Sequence, residues 1–345
     1  MKRILAPRVL HYTKRQLYWE CTELTASETA PCGFTPWEYN LDTRMKRFTP
    51  FSIPMNVRNR FLKSGVTLSK EEHEKAVLRE AFNIWSAAVQ AYTAADLTYE
   101  TDKFIAISAI ARELRQYFKS RYLAGHWENC LIKGLGWRTM QDSTRQKQYR
   151  APSWSWASID GTALMAQWLR NDETPGLLAD LVNVELDLAT DDEFGEVKDG
   201  SLTLKCFLLE LVLKFDADQP DSPIEFVLNV NNNGISMDES LDDTGDPDIW
   251  DYLKPRRLWC MPLYFNKYKE IESLLLEEVD PENRVFRRVG HLGFTHKRSP
   301  QPPGLCEELE KRFSLQRNGS DQSSKSDTGM KIAGKVPSLT EVKII

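Results

Sequence analysis

Tyr149-Arg-Ala-Pro-Ser-Trp-Ser-Trp-Ala-Ser-Ile-Asp-Gly161 sets two of the chain's ten tryptophans on alternate positions. Period-two alternation predicts a strand, whose successive side chains point to opposite faces. Trp154 and Trp156 then share one face, and Ser153, Ser155 and Ala157 form a small-residue face opposite. Pro152 suits a first strand position, where a missing N–H does least damage, and Asp160-Gly161 supplies the closing turn. An exposed tryptophan pair could stack on sugars or bases, but such a platform needs polar or basic groups on its own face. With the serines turned away, the segment is read as a buried packing hinge between the regions on either side.

Upstream lies a helical region. Ser69-Lys-Glu-Glu72 is a capping box, followed by Leu78, Phe82, Trp85, Val89 and Tyr92 at steps of four, three, four and three, which draws one apolar stripe along a helix. A second helix is expected from an N-cap at Asp102, burying Phe104, Ile107, Ala111, Leu114 and Phe118. A third is expected from Gly125 to Gly134, with Trp127 and Leu131 on one face. Before these, Val9–Tyr12 and Gln16–Cys21 are short strands, and the prolines at 31, 36, 50 and 54 make the following stretch loop-rich.

Downstream the period changes to two. Leu181–Leu186, Leu202–Cys206, Phe226–Val230, Trp259–Phe265, Ile271–Val279 and Val285–Phe294 are separated by turn clusters, a pattern that suggests an antiparallel sandwich or partial barrel. Ser236–Asp251 holds seven acids and no base, and is expected to stay solvated and irregular. The residues from Gln316 onward are expected to form a flexible tail. The fold class is therefore α+β. A loop-rich β segment (1–60) precedes a helical unit of about three helices with the tryptophan strand (65–177). A β-rich region (178–300) and a disordered C-terminal tail (301–345) follow.

Composition narrows the function. The 345 residues are 41% hydrophobic and 28% charged with a net charge of −5, which is globular and not that of a general nucleic-acid binder. Five basic groups and no acid in the first nineteen residues form a local patch, taken as a solvated face. No apolar stretch has the length of a signal peptide core or a membrane span, so the expected location is intracellular, by default the cytoplasm. The six cysteines are scattered without zinc-ligand spacing, and His11, Cys21 and Cys32 are too widely spaced for a site.

No elbow around a serine, phosphate loop or HExxH run is present. His126 near Cys130 has the residue types of a base beside a thiol, but is read as a packed histidine. Asp96, Glu100 and Asp102 are read as caps between helices. No catalytic, cofactor-binding or metal-ligating residue is assigned.

Several stretches, in order, resemble the fungal heterokaryon incompatibility (HET) family. They are Arg3–His11, Gln16–Cys21, Ala26-Ser-Glu28, Trp85–Tyr92, Leu97-Thr98, Asp102–Ser108, Tyr122-Leu-Ala-Gly-His-Trp127, Leu135-Gly-Trp137, Ala151–Ala157, Phe194-Gly195 and Phe286-Arg-Arg-Val-Gly290. Together they cover roughly residues 3 to 294. The family's longer N-terminal α/β portion, with its Leu-Ser-Tyr-x-Trp-Gly type motif and its likeness to TIR domains, is not found here. The resemblance implies a non-enzymatic, regulatory or protein-interaction role in non-self recognition and incompatibility cell death, with protein partners. The alternatives are an enzyme hydrolysing an NAD-type nucleotide, or a truncated chain with no independent function.

Overall fold

The computed structural model describes residues 6, 8–21, 24–33, 53, 57, 68–95, 102–140, 142–166, 176–214, 225–228, 238–266, 270–294, 309 and 338–345. Near the start, β1 (Arg8–Tyr12), β2 (Leu17–Cys21) and β3 (Thr25–Ser27) form a three-stranded antiparallel sheet.

The capping box at Ser69 closes as its residue types require. Its amide donates to Glu72 Oε2 at 2.8 Å and its Oγ accepts from the Glu72 amide at 3.2 Å, satisfying donors that a helix start leaves free. Helix α1 (Lys70–Thr93) buries Phe82, Trp85, Val89 and Tyr92, and α2 (Lys103–Phe118) buries all five expected residues. Asp102 holds the N-cap position of α2 but makes no side-chain cap bond. Asp96 and Glu100 lie outside the described residues.

The expected third helix is different. β4 (Tyr122–Leu123) and β5 (His126–Trp127) form a tight hairpin, followed by a 3₁₀ turn and the single-turn helix α3 (Leu131–Gly134). Ala124 and Gly125 have φ of 41° and 94°, the double left-handed geometry of the two-residue hairpin turn that matches strand twist. Gly125 is obligatory: a Cβ there would lie 2.6 Å from Trp156 Nε1.

The tryptophan segment is not a strand. β6 (Arg138–Thr139) pairs with β9 (Ala163–Leu164), and inside it β7 (Thr144–Arg145) pairs with β8 (Ile159–Asp160). The chain between β7 and β8 is thus a pinned loop, with a turn at Ser153-Trp154 and a 3₁₀ helix at Trp156–Ser158. A strand would give one face to the tryptophans and the other to the serines. The turn buries all four, because each serine hydroxyl finds a main-chain partner. Ser155 Oγ donates to Ala124 O at 2.7 Å, and Ser153 Oγ donates to the main-chain oxygen of Ile345.

The β region is one mixed sheet of nine strands. Leu178 N donates to Leu263 O at 2.8 Å and Phe265 N to Gly176 O at 3.0 Å, which curls the sheet back on itself, as in the expected partial barrel rather than a sandwich. The strands are β10 (Ala179–Leu188), β11 (Val197–Cys206), β12 (Leu209–Lys214), β13 (Glu225–Leu228), β14 (Asp238–Leu241), β15 (Leu258–Phe265), β16 (Ile271–Asp280), β17 (Val285–Phe294) and β18 (Thr340–Ile344). Their order is β10-β11-β18-β17-β16-β15-β12-β13, with β14 also on β17. One edge of β17 is shared: β18 runs parallel to its start and β14 antiparallel to its end. A one-turn helix α4 (Ile249–Leu253) follows β14.

Two expectations are corrected by these strands. The acidic stretch is ordered from residue 238, because Asp242 is buried against arginines rather than left to repel its neighbours. The last residues of the expected tail, 338–345, belong to the sheet, where Val342 and Ile344 are buried between β11 and β17. Residues 310–337 lie outside the described residues.

Both faces of the sheet are covered, so its strands read as continuous apolar runs: Leu274, Leu275 and Leu276 are all fully buried. Leu274, Leu276, Met261 and Val342 join Trp85, Trp127, Trp137, Trp154 and Trp156 in one core. Leu275, Cys260 and Phe265 pack on the other face with Leu253 of α4. The first core is dense in aromatic contacts. Phe118 stacks on Trp127 at 4.3 Å, and Trp85 meets Tyr122, Trp127 and Trp156 edge-on. Such pairs contribute about 0.5–1.5 kcal/mol each beyond their burial. The indoles of Trp85 and Trp156 both donate to Gly125 O, at 3.1 and 2.8 Å.

Placing β18 in mid-sheet makes it essential to the fold. Val342→Asp is expected to lower stability by about 3 kcal/mol or more, because it buries an unpaired charge. Lys343→Ala, on a half-exposed side chain, is expected to cost under about 1 kcal/mol. Urea melts of the two variants check this.

Candidate functional site

Below the tryptophan loop sits a buried ionic network. Arg288 of β17 is fully buried, as is Asp242 just after β14. The Arg288 Nε donates to Asp242 Oδ2 at 3.0 Å and Nη2 to Oδ1 at 3.2 Å. Nη1 donates to Leu135 O at 2.7 Å and Nη2 to Trp137 O at 2.6 Å. The guanidinium lies 3.4 Å from the centre of the Trp137 ring, a desolvated cation–π contact. The Arg288 amide donates to Ser153 Oγ at 3.0 Å, so the first serine of the motif joins β17 to Ile345.

Arg145 donates to the same Asp242 Oδ2 at 3.1 Å and to Arg288 O at 3.0 Å. Two guanidiniums therefore share one carboxylate. Burial lowers the pKa of both arginines, and Asp242 opposes that shift.

A second carboxylate, partly exposed, repeats the pattern. Asp160 Oδ1 accepts from Lys103 Nζ at 3.1 Å and Arg150 Nη2 at 2.8 Å, while Gln146 donates to Oδ2. Burial raises the Asp160 carboxyl, but the Arg150 hydrogen bond and the Lys103 charge outweigh it and the net shift is downward. Lys103, with its side chain 3% exposed, is pushed down to about 8 by burial and by the Arg150 charge. Arg150 also donates to the carbonyls of Ala157 and Ile159, at 2.7 and 2.8 Å. Its Nη1 is buried without a hydrogen-bond partner.

Above these groups opens a cleft of about 440 Å³, walled by Arg145, Lys147, Arg150 and Arg287, with Asp199 as its acidic side chain. A neighbouring recess of about 190 Å³ shares Gln146, Gln148, Tyr149 and Arg150 with it and adds Phe104 and Val197, with one acid, Glu196. Burial, then Asp199, raises the Tyr149 phenol, which stays a neutral donor. This is the size range of small-molecule sites.

A second surface lies on β1. Leu10 and Tyr12 are 44% and 79% exposed on one face, with Arg8 exposed beside them and exposed Lys14 and Arg15 just beyond. Among the described residues β1 pairs with β2 alone.

The groups weighed for chemistry are placed elsewhere. His126 is buried on β5, held neutral by a pKa lowered to about 3 through burial and the Arg288 charge. Burial pushes the Cys130 thiol up to about 12. An uncharged imidazole beside a protonated thiol is not a nucleophile pair. His11 Nε2 contacts Glu20 Oε2 at 3.1 Å, and no group of three or more metal-ligating side chains occurs among the described residues. None of their helices is long and apolar enough to cross a membrane.

Two sequence signals could have found the cleft. Arg145-Gln-Lys-Gln-Tyr-Arg150 sets three bases within six residues, with no acid from Ser143 to Ile159. Arg288 sits inside an otherwise buried strand, where a charge needs a partner. Comparison of the chain with family models, with curated proteins and with solved structures found no match.

Asp242→Asn leaves two buried guanidiniums without their shared charge, and is expected to cost about 3–5 kcal/mol in a urea melt. Lys103 binds its proton less tightly folded than unfolded, so stability from this group rises as pH climbs from about 8 toward its unfolded value, by up to about 3 kcal/mol. Lys103→Met is expected to flatten that rise, measured as the difference between the two pH–stability curves.

Proposed function

We propose that the chain is a HET-family protein acting without catalysis, as a regulatory protein-interaction unit in fungal non-self recognition and incompatibility cell death. The ordered motifs support the family reading, and their aromatic residues meet in one core: Trp85, Tyr122, Trp127, Trp137, Trp154, Trp156, Phe194 and Phe286. Residues that carry a resemblance by packing together preserve a scaffold rather than a reaction centre.

The observation that carries the interaction role is β1. Its face shows Leu10 and Tyr12 to solvent beside Arg8. An extended partner segment adds to such an edge through main-chain hydrogen bonds, and side-chain pockets select it. Lys14 and Arg15 at its end favour an acidic segment.

The test is photocrosslinking from position 12 in cells that express the chain. Crosslinks to an acidic extended segment of a second protein are expected, and Leu10→Glu with Tyr12→Glu should abolish both them and the cell-death response. These exposed substitutions are expected to shift stability by no more than about 0.5 kcal/mol each. Crosslinks retained in the double variant, or a death response that survives it, contradict the reading.

A further inference from the structure

The cations beneath the cleft outnumber the carboxylates they contact. Asp242 is shared by Arg145 and Arg288, and Asp160 by Lys103 and Arg150. Asp243 adds a third carboxyl near Arg145, which leaves four cations against three carboxylates. In a chain of net charge −5, this concentrates positive potential at one concave place, where low-dielectric walls focus it.

The cleft wall adds Lys147 and Arg287 against Asp199, and the recess adds Glu196. Lys147 makes no hydrogen bond or ion pair among the described residues. Arg287 stands 3.9 Å from Glu277 and 3.4 Å from the Tyr252 hydroxyl, too far for a tight pair. Arg150, whose side chain is 9% exposed, lines both cleft and recess and adds its charge from behind the wall.

We propose that this cleft binds a small phosphorylated molecule. Lys147 and Arg287 hold the phosphate, with the charges of Arg145 and Arg150 behind them, and the adjoining recess of Phe104, Tyr149 and Val197 takes the organic portion. Guanidinium groups match phosphate oxygens in charge and geometry. The recess offers an aromatic wall, the neutral Tyr149 hydroxyl and the amides of Gln146 and Gln148, which suit an uncharged polar or ring-bearing group. The volumes of cleft and recess, about 440 and 190 Å³, match a small molecule. This site is separate from the β1 surface and does not depend on the family reading.

Calorimetric titration of the full chain with inorganic pyrophosphate, ribose 5-phosphate and sulfate at near-physiological salt tests the proposal. Saturable binding of both phosphates is expected, at least tenfold tighter than sulfate. Lys147→Ala and Arg287→Ala are each expected to weaken it about fivefold or more, with melting temperatures unchanged. Lys75→Ala, on the far helix surface, serves as a control and should leave affinity intact. Ribose 5-phosphate, which can reach the recess, is expected to lose affinity in Val197→Ala while pyrophosphate does not.

Four results would overturn the proposal. These are no saturable binding of either phosphate, equal binding of sulfate, affinity untouched by Lys147→Ala and Arg287→Ala, or a phosphoserine peptide binding where neither small phosphate does.

Discussion

The buried guanidinium of Arg288 ties three parts of the molecule to one point. Its side chain bonds Asp242 after β14 and the carbonyls of Leu135 and Trp137 beyond α3, while its amide bonds Ser153 of the tryptophan loop. An arginine taken out of water is tolerated only when its charge and donors are met. Here a carboxylate, two carbonyls and an indole face meet them together. Moving any of these segments leaves a charge uncompensated, so their relative positions are tightly fixed. Ser153 also bonds Ile345, just past β18, which pairing with β11 and β17 sets inside the sheet.

What the sequence made legible follows from local physics. The capping box and the four-three spacing of α1 are short-range signals, and α2 shows the same apolar stripe over Phe104 to Phe118. The Gly125 hairpin was hidden because Tyr-Leu-Ala-Gly-His-Trp has no strand run long enough to show a period. Its turn is set by a left-handed pair, Ala124 and Gly125, and by two indoles converging on one carbonyl. The alternation in Ser-Trp-Ser-Trp misled for a related reason: burying serines and tryptophans together needs partners contributed by Ala124, Arg288 and Ile345. The acidic stretch and β18 take their order from residues far away in the chain. Periodicity within a window carries no trace of such partners. The cleft was legible only in part, as a run of bases whose acids lie elsewhere.

The same arrangement separates two surfaces by character. β1 shows Leu10, Tyr12 and Arg8 to solvent, the surface proposed for a protein partner. The cleft between the tryptophan loop, β11 and β17 is concave and cationic, and its walls belong to the network that holds the fold. A ligand there would act on Arg150 and Arg145, the groups that pin both ends of the tryptophan loop. Binding and the packing of the core are thus connected through shared carboxylates, without a moving domain.

On this arrangement the helices and the nine-stranded sheet form one cooperative unit locked by the Arg288 junction. Native-state hydrogen exchange under rising denaturant tests it most directly, by comparing amides of Val89 in α1, Ser153 in the loop and Leu274 in β16. All three are expected to exchange through one opening event with a common free energy and a common dependence on denaturant. Opening of α1 at clearly lower free energy, while Leu274 stays protected, would contradict it.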